Sequence, residues 1–372
     1  MIDHLLCFVF MIKQSLHSAI RKHVLGLIQA AQVGDPLPTE KAIAERLKAS
    51  RSTVQSVMLA LQREGFIERQ RGRGSFVRSK EQRIFSGTDS SFGGQILYVY
   101  PDHPSIEYIL FRQLIEGQAR QRQLDLAEAR ISRYSTYALV KELAGKLAKL
   151  KGIVISATPE VMESRNQRML HDLGVPVVVI CGEKSVYDNV FSINPDDYKS
   201  GYKNIELLVG KGHRRLAYVS NEPKDHGDSL ILKGMRRALA DFGLSQKSLF
   251  ISPLETKQWE DSRVTAHQAT REIVSGPERP SALIYHSFAG ALAGVRAIRE
   301  LGMEVPGEIS VVANGSPSSD GAYLYPRLAY VTCSREAVVK TALDVIDGTA
   351  NLPSNNIVVD VDVAEEESVK TI

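Results

Sequence analysis

The chain has 372 residues and a mass of 41.1 kDa, a length that suggests about two to three domains. Its 43% hydrophobic and 24% charged residues are ordinary globular usage, which excludes a chain disordered throughout. The net charge of +3 hides a split: residues 13–80 carry 13 Lys and Arg against 5 Asp and Glu, a net +8, and the remainder sums to −5. A small basic segment joined to a larger acidic one points to nucleic-acid contact at one end. No apolar run approaches the roughly 20 residues that span a bilayer. The run Leu5 to Ile12 lacks the basic flank and small-residue cleavage site of a secretory signal, so residues 1–10 are read as an extension. Cys7, Cys181 and Cys333 have neither CxxC nor Cys/His spacing. Neither a disulfide framework nor a metal site is expected, and the usage suits a reducing cytoplasm.

Leu16, Ile20, Val24, Leu25 and Ile28 recur at helical spacing and predict a first helix over 13–31, broken by Gly34, Asp35 and Pro36. Thr39 is the N-cap of a second helix carrying Ile43, Ala44 and Leu47 and ending near Lys48. After the turn Ala49-Ser50, Ser50 caps a third helix over 51–64. Val54, Val57, Met58 and Leu61 form its buried face, Arg51, Ser52, Gln55 and Gln62 point away, and Gly65 suits the left-handed C-terminal position. Strands at 66–69 and 74–77 enclose a basic tip, Gln70-Arg71-Gly72-Arg73. Two helices joined by a tight turn, the second with a polar outer face, match the way a recognition helix enters the major groove. Arg51 can pair bidentately with guanine, and Gln55, one turn on, with adenine. Arg71 and Arg73 suit phosphates or the minor groove, and Gly72 lets the wing backbone approach closely.

Leu37-Pro38-Thr39-Glu40-Lys41, Ala44-Glu45-Arg46-Leu47, Ser50-Arg51-Ser52-Thr53-Val54, Glu64-Gly65-Phe66-Ile67-Glu68-Arg69 and Arg71-Gly72-Arg73-Gly74-Ser75-Phe76-Val77 resemble the DNA-binding domain of GntR-family repressors. The resemblance covers about 13–78 and implies a small α+β winged helix-turn-helix whose DNA contacts are Lys41, Ser50, Arg51, Ser52, Thr53, Gln55, Arg71, Gly72 and Arg73. The family often has Arg where Gln55 stands, which implies a different preferred operator. Gly72-x-Gly74 is not a dinucleotide loop, since no helix and no third spaced glycine follow it.

The polar, Ser/Gly-rich segment 79–94 reads as a linker between a domain at 11–78 and one at 95–372. Beyond it, short apolar runs at 96–100, 125–130, 152–155, 175–180, 215–219, 282–285 and 310–312 alternate with helical patterns at 106–120, 137–150, 159–173, 197–211, 229–242 and 288–301. Such alternation predicts parallel sheets with helices on both faces, in two lobes. Asp196-Asp197-Tyr198-Lys199-Ser200-Gly201-Tyr202, Gly212-His213-Arg214-Arg215-Leu216-Ala217-Tyr218-Val219, Gly234-Met235-x-x-Ala238-Leu239, Arg279-Pro280-Ser281-Ala282-Leu283 and the run 302–312 resemble the effector core of LacI/GalR-type repressors, which is periplasmic-binding-protein-like. That resemblance spans 95–362 and implies a small ligand in a cleft between two α/β lobes. Gly201 and Gly212 read as packing or turn residues. His213 reads as a structural residue whose charge would suit a helix C-terminus. The family's pocket residues are replaced by Cys181-Gly182-Glu183, Leu230-Ile231, His286-Ser287 and Ala313-Asn314-Gly315-Ser316, which puts an ordinary sugar effector in doubt. Asp102, His103, Ser156, Glu183, His286 and Asn314 remain as effector-binding candidates at cleft-facing strand ends.

The combination reads as a ligand-responsive, homodimeric transcriptional repressor that binds a palindromic double-stranded DNA operator and a small-molecule effector, a sugar or related metabolite. It needs no cofactor, metal, membrane or catalytic residue. The alternatives are an α/β enzyme and a binding protein without specific DNA binding. No Gly-x-Ser-x-Gly elbow, P-loop or His-Glu-x-x-His supports the first, and a DNA-binding domain is foreign to an exported receptor.

Overall fold

The computed structural model describes residues 19–63, 66–70, 73–78, 93–102, 105–131, 137–147, 149–157, 163–182, 184–223, 229–257, 260–315, 324–352, 354–364 and 366–372. The chain divides into two compact units, Met1–Gly87 with Ala127–Lys146, and Thr88–Leu126 with Leu147–Ile372.

In the first unit, helix α1 (19–30), α2 (Glu40–Arg46) and α3 (Arg51–Arg63) surround one core with the hairpin β1 (Ile67–Gln70) and β2 (Gly74–Val77). Ile20, Val24 and Ile28 of α1 and Val54, Val57, Met58 and Leu61 of α3 are fully buried, as the 3.6-residue period requires. Gln62 departs from its expected outward position and is half-buried. Segment 34–37 lies along β2: Gly34 N donates to Val77 O and Leu37 N to Ser75 O. Arg69 of β1 pairs with Glu40 of α2 at 2.5 Å, which ties the wing to the helices. The hairpin register sets Ile67 opposite Val77, one residue later than the strand expected at 66–69. The helical signal at 13–18 and the cap at Gly65 lie outside the described residues.

Two six-stranded sheets follow, and they belong to the second unit apart from residues 127–131 of one edge strand. The first lobe has the order β13 (Asn356–Val359), β7 (Val190–Pro195), β6 (Val177–Ile180), β5 (Leu150–Ser156), β3 (Gly94–Pro101), β4 (Leu124–Ile131). Its pairs from β3 to β13 are parallel. The second lobe has the order β14 (Asp362–Ala364), β12 (Ala329–Thr332), β11 (Ser310–Asn314), β10 (Ala282–Tyr285), β8 (Leu216–Val219), β9 (Leu249–Ile251). Here the expectation of purely parallel pairing needs one correction, because the edge strand β14 runs antiparallel to β12.

Helices α4 (Ile106–Gln121) and α11 (Arg335–Ile346) share the core of the first lobe, where Ile115 and Ala119 meet Val339, Ala342 and Leu343. The pattern at 159–173 becomes α6 (Ser164–His171). The helix expected over 137–150 stops as α5 (Ala138–Lys146), and Leu150 instead opens β5. In the second lobe α7 (Asp197–Gly210) and α8 (Leu230–Asp241) cover one face, α9 (Ser262–Ser275) and α10 (Phe288–Glu300) the other. The α7–α8 crossing is set by two glycines: a Cβ at Gly201 would lie 1.9 Å from Ile231 O, and one at Gly234 1.9 Å from Tyr198 O. The chain passes between the sheets at 195–197, 332–335 and 359–362. Cys333 packs against the cores of both lobes, Asp196 N donates to Val359 O, and Lys199 pairs with Asp360 at 2.5 Å. Three crossings of this kind join the lobes.

His213 corrects its expected charge. It is fully buried, with Nδ1 2.8 Å from Ser281 Oγ and Nε2 3.1 Å from Lys370 O. Burial pushes its pKa below the ordinary histidine value, so the ring is a neutral structural group rather than a helix-end cation.

Candidate functional site: a DNA-reading helix and an interlobe cleft

Helix α3 is held at its start by side chains that the sequence places there. Ser50 Oγ accepts the Thr53 amide at 3.1 Å and lies 2.9 and 2.7 Å from the Ser52 and Thr53 hydroxyls. Thr39 caps α2 in the same way, accepting Ala42 N at 3.2 Å. Ser50 and Thr53 are therefore engaged in shaping the helix end. Arg51, Ser52 and Gln55 are exposed, and neither the Arg51 nor the Gln55 side chain has a hydrogen-bond partner among the described residues. They lie four residues apart on one helical face. Lys41 is exposed on α2, 3.9 Å from Glu45. On the wing, the Arg73 guanidinium stands 6.0 Å from the Phe76 ring centroid. Arg71 and Gly72 lie outside the described residues.

The C-terminal strand ends of the second unit gather the other candidates. Asp102 follows β3 and is half-buried. Ser156 ends β5 and is buried, its hydroxyl 2.8 Å from Tyr98 OH. His286 follows β10, with Nδ1 2.5 Å from Tyr218 OH. Asn314 ends β11, and its amide is committed within the lobe: Oδ1 accepts Asn204 Nδ2 at 2.8 Å, and Nδ2 donates to Tyr285 O at 3.1 Å. His103 and Glu183 lie outside the described residues.

Sequence reasoning missed further residues on and just past these strands. Tyr98 and Tyr100 alternate along β3 onto one face and stack with centroids 4.9 Å apart, and Tyr108 of α4 lies 6.1 Å from Tyr100. Burial pushes the Tyr108 phenol up to about 12, with Glu222, Cys181 and Glu107 adding to the effect. Tyr108 belongs to the first lobe and Glu222 to the second. Burial raises the Tyr98 and Tyr218 phenols as well, which leaves all three neutral hydrogen-bonding groups at working pH. Past β8, Asn221 is fully buried and donates to Ser287 Oγ at 2.7 Å and Glu222 Oε1 at 3.1 Å. These two positions follow a strand that the apolar run at 215–219 had located, and the strand-end rule applied there would have found them. Cys181, after β6, has φ +59°, a left-handed conformation that non-glycine residues adopt mainly where the surroundings impose it.

Among the described residues no helix is long and apolar enough to cross a membrane, and no cluster of His, Cys, Asp and Glu is suited to a metal ion. Residues 12–77 match the family of bacterial regulatory proteins called gntR, and residues 205–362 match the periplasmic binding protein-like domain. The chain is 24% identical over 309 residues to an arabinose metabolism transcriptional repressor of Geobacillus stearothermophilus, covering 79% of this chain and 80% of that protein. A LacI family transcriptional regulator of Enterococcus faecium with bound ribose superposes with a TM-score of 0.61 at 18% identity, covering 75% of this chain and 99% of that one. The lac repressor dimer bound to operator and the anti-inducer ONPF gives 0.59 at 19% identity, with coverage of 74% and 94%. These likenesses establish the two-lobed fold. The chain thus joins a segment matching the gntR family of bacterial regulatory proteins to a periplasmic-binding-protein-like domain, the composition of a DNA-binding transcriptional regulator.

Proposed function

We propose that the protein is a cytoplasmic, homodimeric repressor whose grip on a palindromic operator is set by a small polar metabolite in the interlobe cleft. The observation that carries this reading is the outward face of α3, where Arg51 and Gln55 stand exposed and unpartnered on a capped, well-buried helix. A guanidinium and an amide one turn apart are the groups that read guanine and adenine in the major groove. Two copies of a winged helix read two half-sites, and the lac repressor dimer bound to operator supports that arrangement for a chain of this fold. The arabinose repressor and the ribose-bound regulator support a small polyhydroxylated or related ligand. Binding would draw the strand ends together about the crossings at 195–197, 332–335 and 359–362, a population shift between two lobe arrangements. The protein binds its ligand and does not transform it.

The test is selection of bound sequences from random duplex DNA by the full chain, followed by a screen of metabolites for release. The account expects an enriched palindrome with half-sites about one helical turn, or a multiple of it, apart. It also expects His286→Ala to blunt release. Recovery of unenriched DNA would contradict it.

A further inference from the structure

We propose that the cleft takes a metabolite bearing a protonated amine, with the ammonium held between the Glu222 carboxylate and the Tyr108 ring. This rests on the cleft being the effector site, and it names the class of effector. Glu222 is half-buried at the end of β8, and among the described residues no Lys, Arg or His pairs with it. Its hydrogen bond comes from the Asn221 amide at 3.1 Å. The oxygen of that same amide, Asn221 Oδ1, is buried and meets no donor. The Asn221 side chain packs against α10 so closely that a Cβ on Gly290 would lie 2.4 Å from it. Two acceptors therefore stand together at this corner, one of them charged.

Among the described residues of the first lobe, no cation pairs with Glu222. Arg335, at the start of α11, is committed to Glu107 by two hydrogen bonds of 2.8 and 2.5 Å. What that lobe does bring is aromatic surface, the Tyr98–Tyr100–Tyr108 series, whose Tyr108 phenol is held neutral first by burial and then by the Glu222 charge. Lobe closure takes water from the Glu222 carboxylate. A neutral polyol can satisfy the oxygens with hydroxyls, yet leaves the charge uncompensated, and an anion worsens it. An ammonium supplies both the charge and the donors, and its remaining face suits an electron-rich ring.

The experiment uses the full chain and matched probes, D-glucosamine against D-glucose and ethanolamine against ethylene glycol, by thermal shift and calorimetry. The amine of at least one pair should bind about tenfold or more tighter than its neutral partner, the factor that one ion pair of roughly 1.4 kcal/mol gives. Glu222→Gln should abolish that preference. Tyr108→Leu should weaken it, and Tyr108→Phe, which keeps the ring, should retain it. If Glu222→Gln does not melt cooperatively, Glu222→Asp serves instead and should keep a reduced preference. Equal or tighter binding of the neutral member, an unchanged preference in Glu222→Gln, or no amine binding would overturn the proposal. Release of operator DNA by a neutral metabolite would sink the amine while leaving the regulator reading intact.

Discussion

Truncating Arg51 to Ala removes a guanidinium that the fold does not use. Arg51 is exposed, has no partner among the described residues, and precedes the buried series Val54, Val57, Met58 and Leu61. The cap at Ser50 engages the Thr53 amide and is untouched. The stability of the domain should therefore change by no more than about 0.5 kcal/mol. The effect on DNA is larger, because a bidentate pair with guanine is worth about 1–3 kcal/mol of discrimination. Per half-site that is a loss of roughly 5- to 150-fold, and in a dimer the free energies of two half-sites add. Lys41→Ala makes the contrasting perturbation. Its side chain is 76% exposed on α2, and its expected role is a phosphate contact. It should weaken selected and scrambled duplexes alike and lower the slope of log affinity against log salt by about 0.9 per subunit. Gln55 substitutions should change which duplex is preferred. The assay is fluorescence anisotropy of full-length protein on both duplexes across about 50–200 mM salt. Unchanged affinity and discrimination in Arg51→Ala would show that α3 is not the reading helix.

Three further outcomes follow from the packing. Gly234→Ala places a methyl 1.9 Å from Tyr198 O, so α7 and α8 must separate, and overpacking of this kind costs about 1–3 kcal/mol. Calorimetry should show a lower melting temperature, and an unaltered one would refute the close crossing. His213, whose pKa is lowered in the folded state, binds fewer protons folded than unfolded, so stability should fall as pH drops below about 6.5. His213→Gln should shrink the difference in melting temperature between neutral and mildly acid buffer, and an undiminished difference would locate the acid sensitivity elsewhere. Limited proteolysis should cut first within the Ser/Gly-rich segment 79–94, and first cleavage elsewhere would argue against that domain boundary.

The DNA-binding domain was legible because its signals are local. Thr39 and Ser50 cap the helices they precede, and the apolar period of α3 maps onto four fully buried side chains. Central strands such as β10, an unbroken apolar run, were equally plain. The strands near the interlobe crossings were not. The edge strand β13 is half-exposed, β14 has three residues, and both exist through pairing with partners far along the chain. Helix α9 was missed because it buries mainly small side chains, Ala266, Ala269 and Thr270 beside Val274, which leaves little apolar period. In α11 the Val338-Val339 and Val345-Ile346 pairs read as readily as strand. The strand ends could be located from the apolar runs, but side-chain partners were not foreseeable. Asn314 turned out to be committed to Asn204 and Tyr285, whereas a carboxylate with no cation partner among the described residues stands three residues past β8 at Glu222.

The central claim is that one chain couples ligand in the cleft to DNA at α3, and linkage measures this most directly. With the selected operator and the releasing metabolite in hand, titrate DNA at zero and saturating ligand, and ligand at zero and saturating DNA. Allosteric coupling requires the two affinity ratios to agree, at about 5- to 150-fold for a coupling of 1–3 kcal/mol. The account predicts equal ratios in that range for the wild type, with the ratio falling toward one in His286→Ala. Ligand that binds the protein tightly while operator affinity stays constant would contradict it.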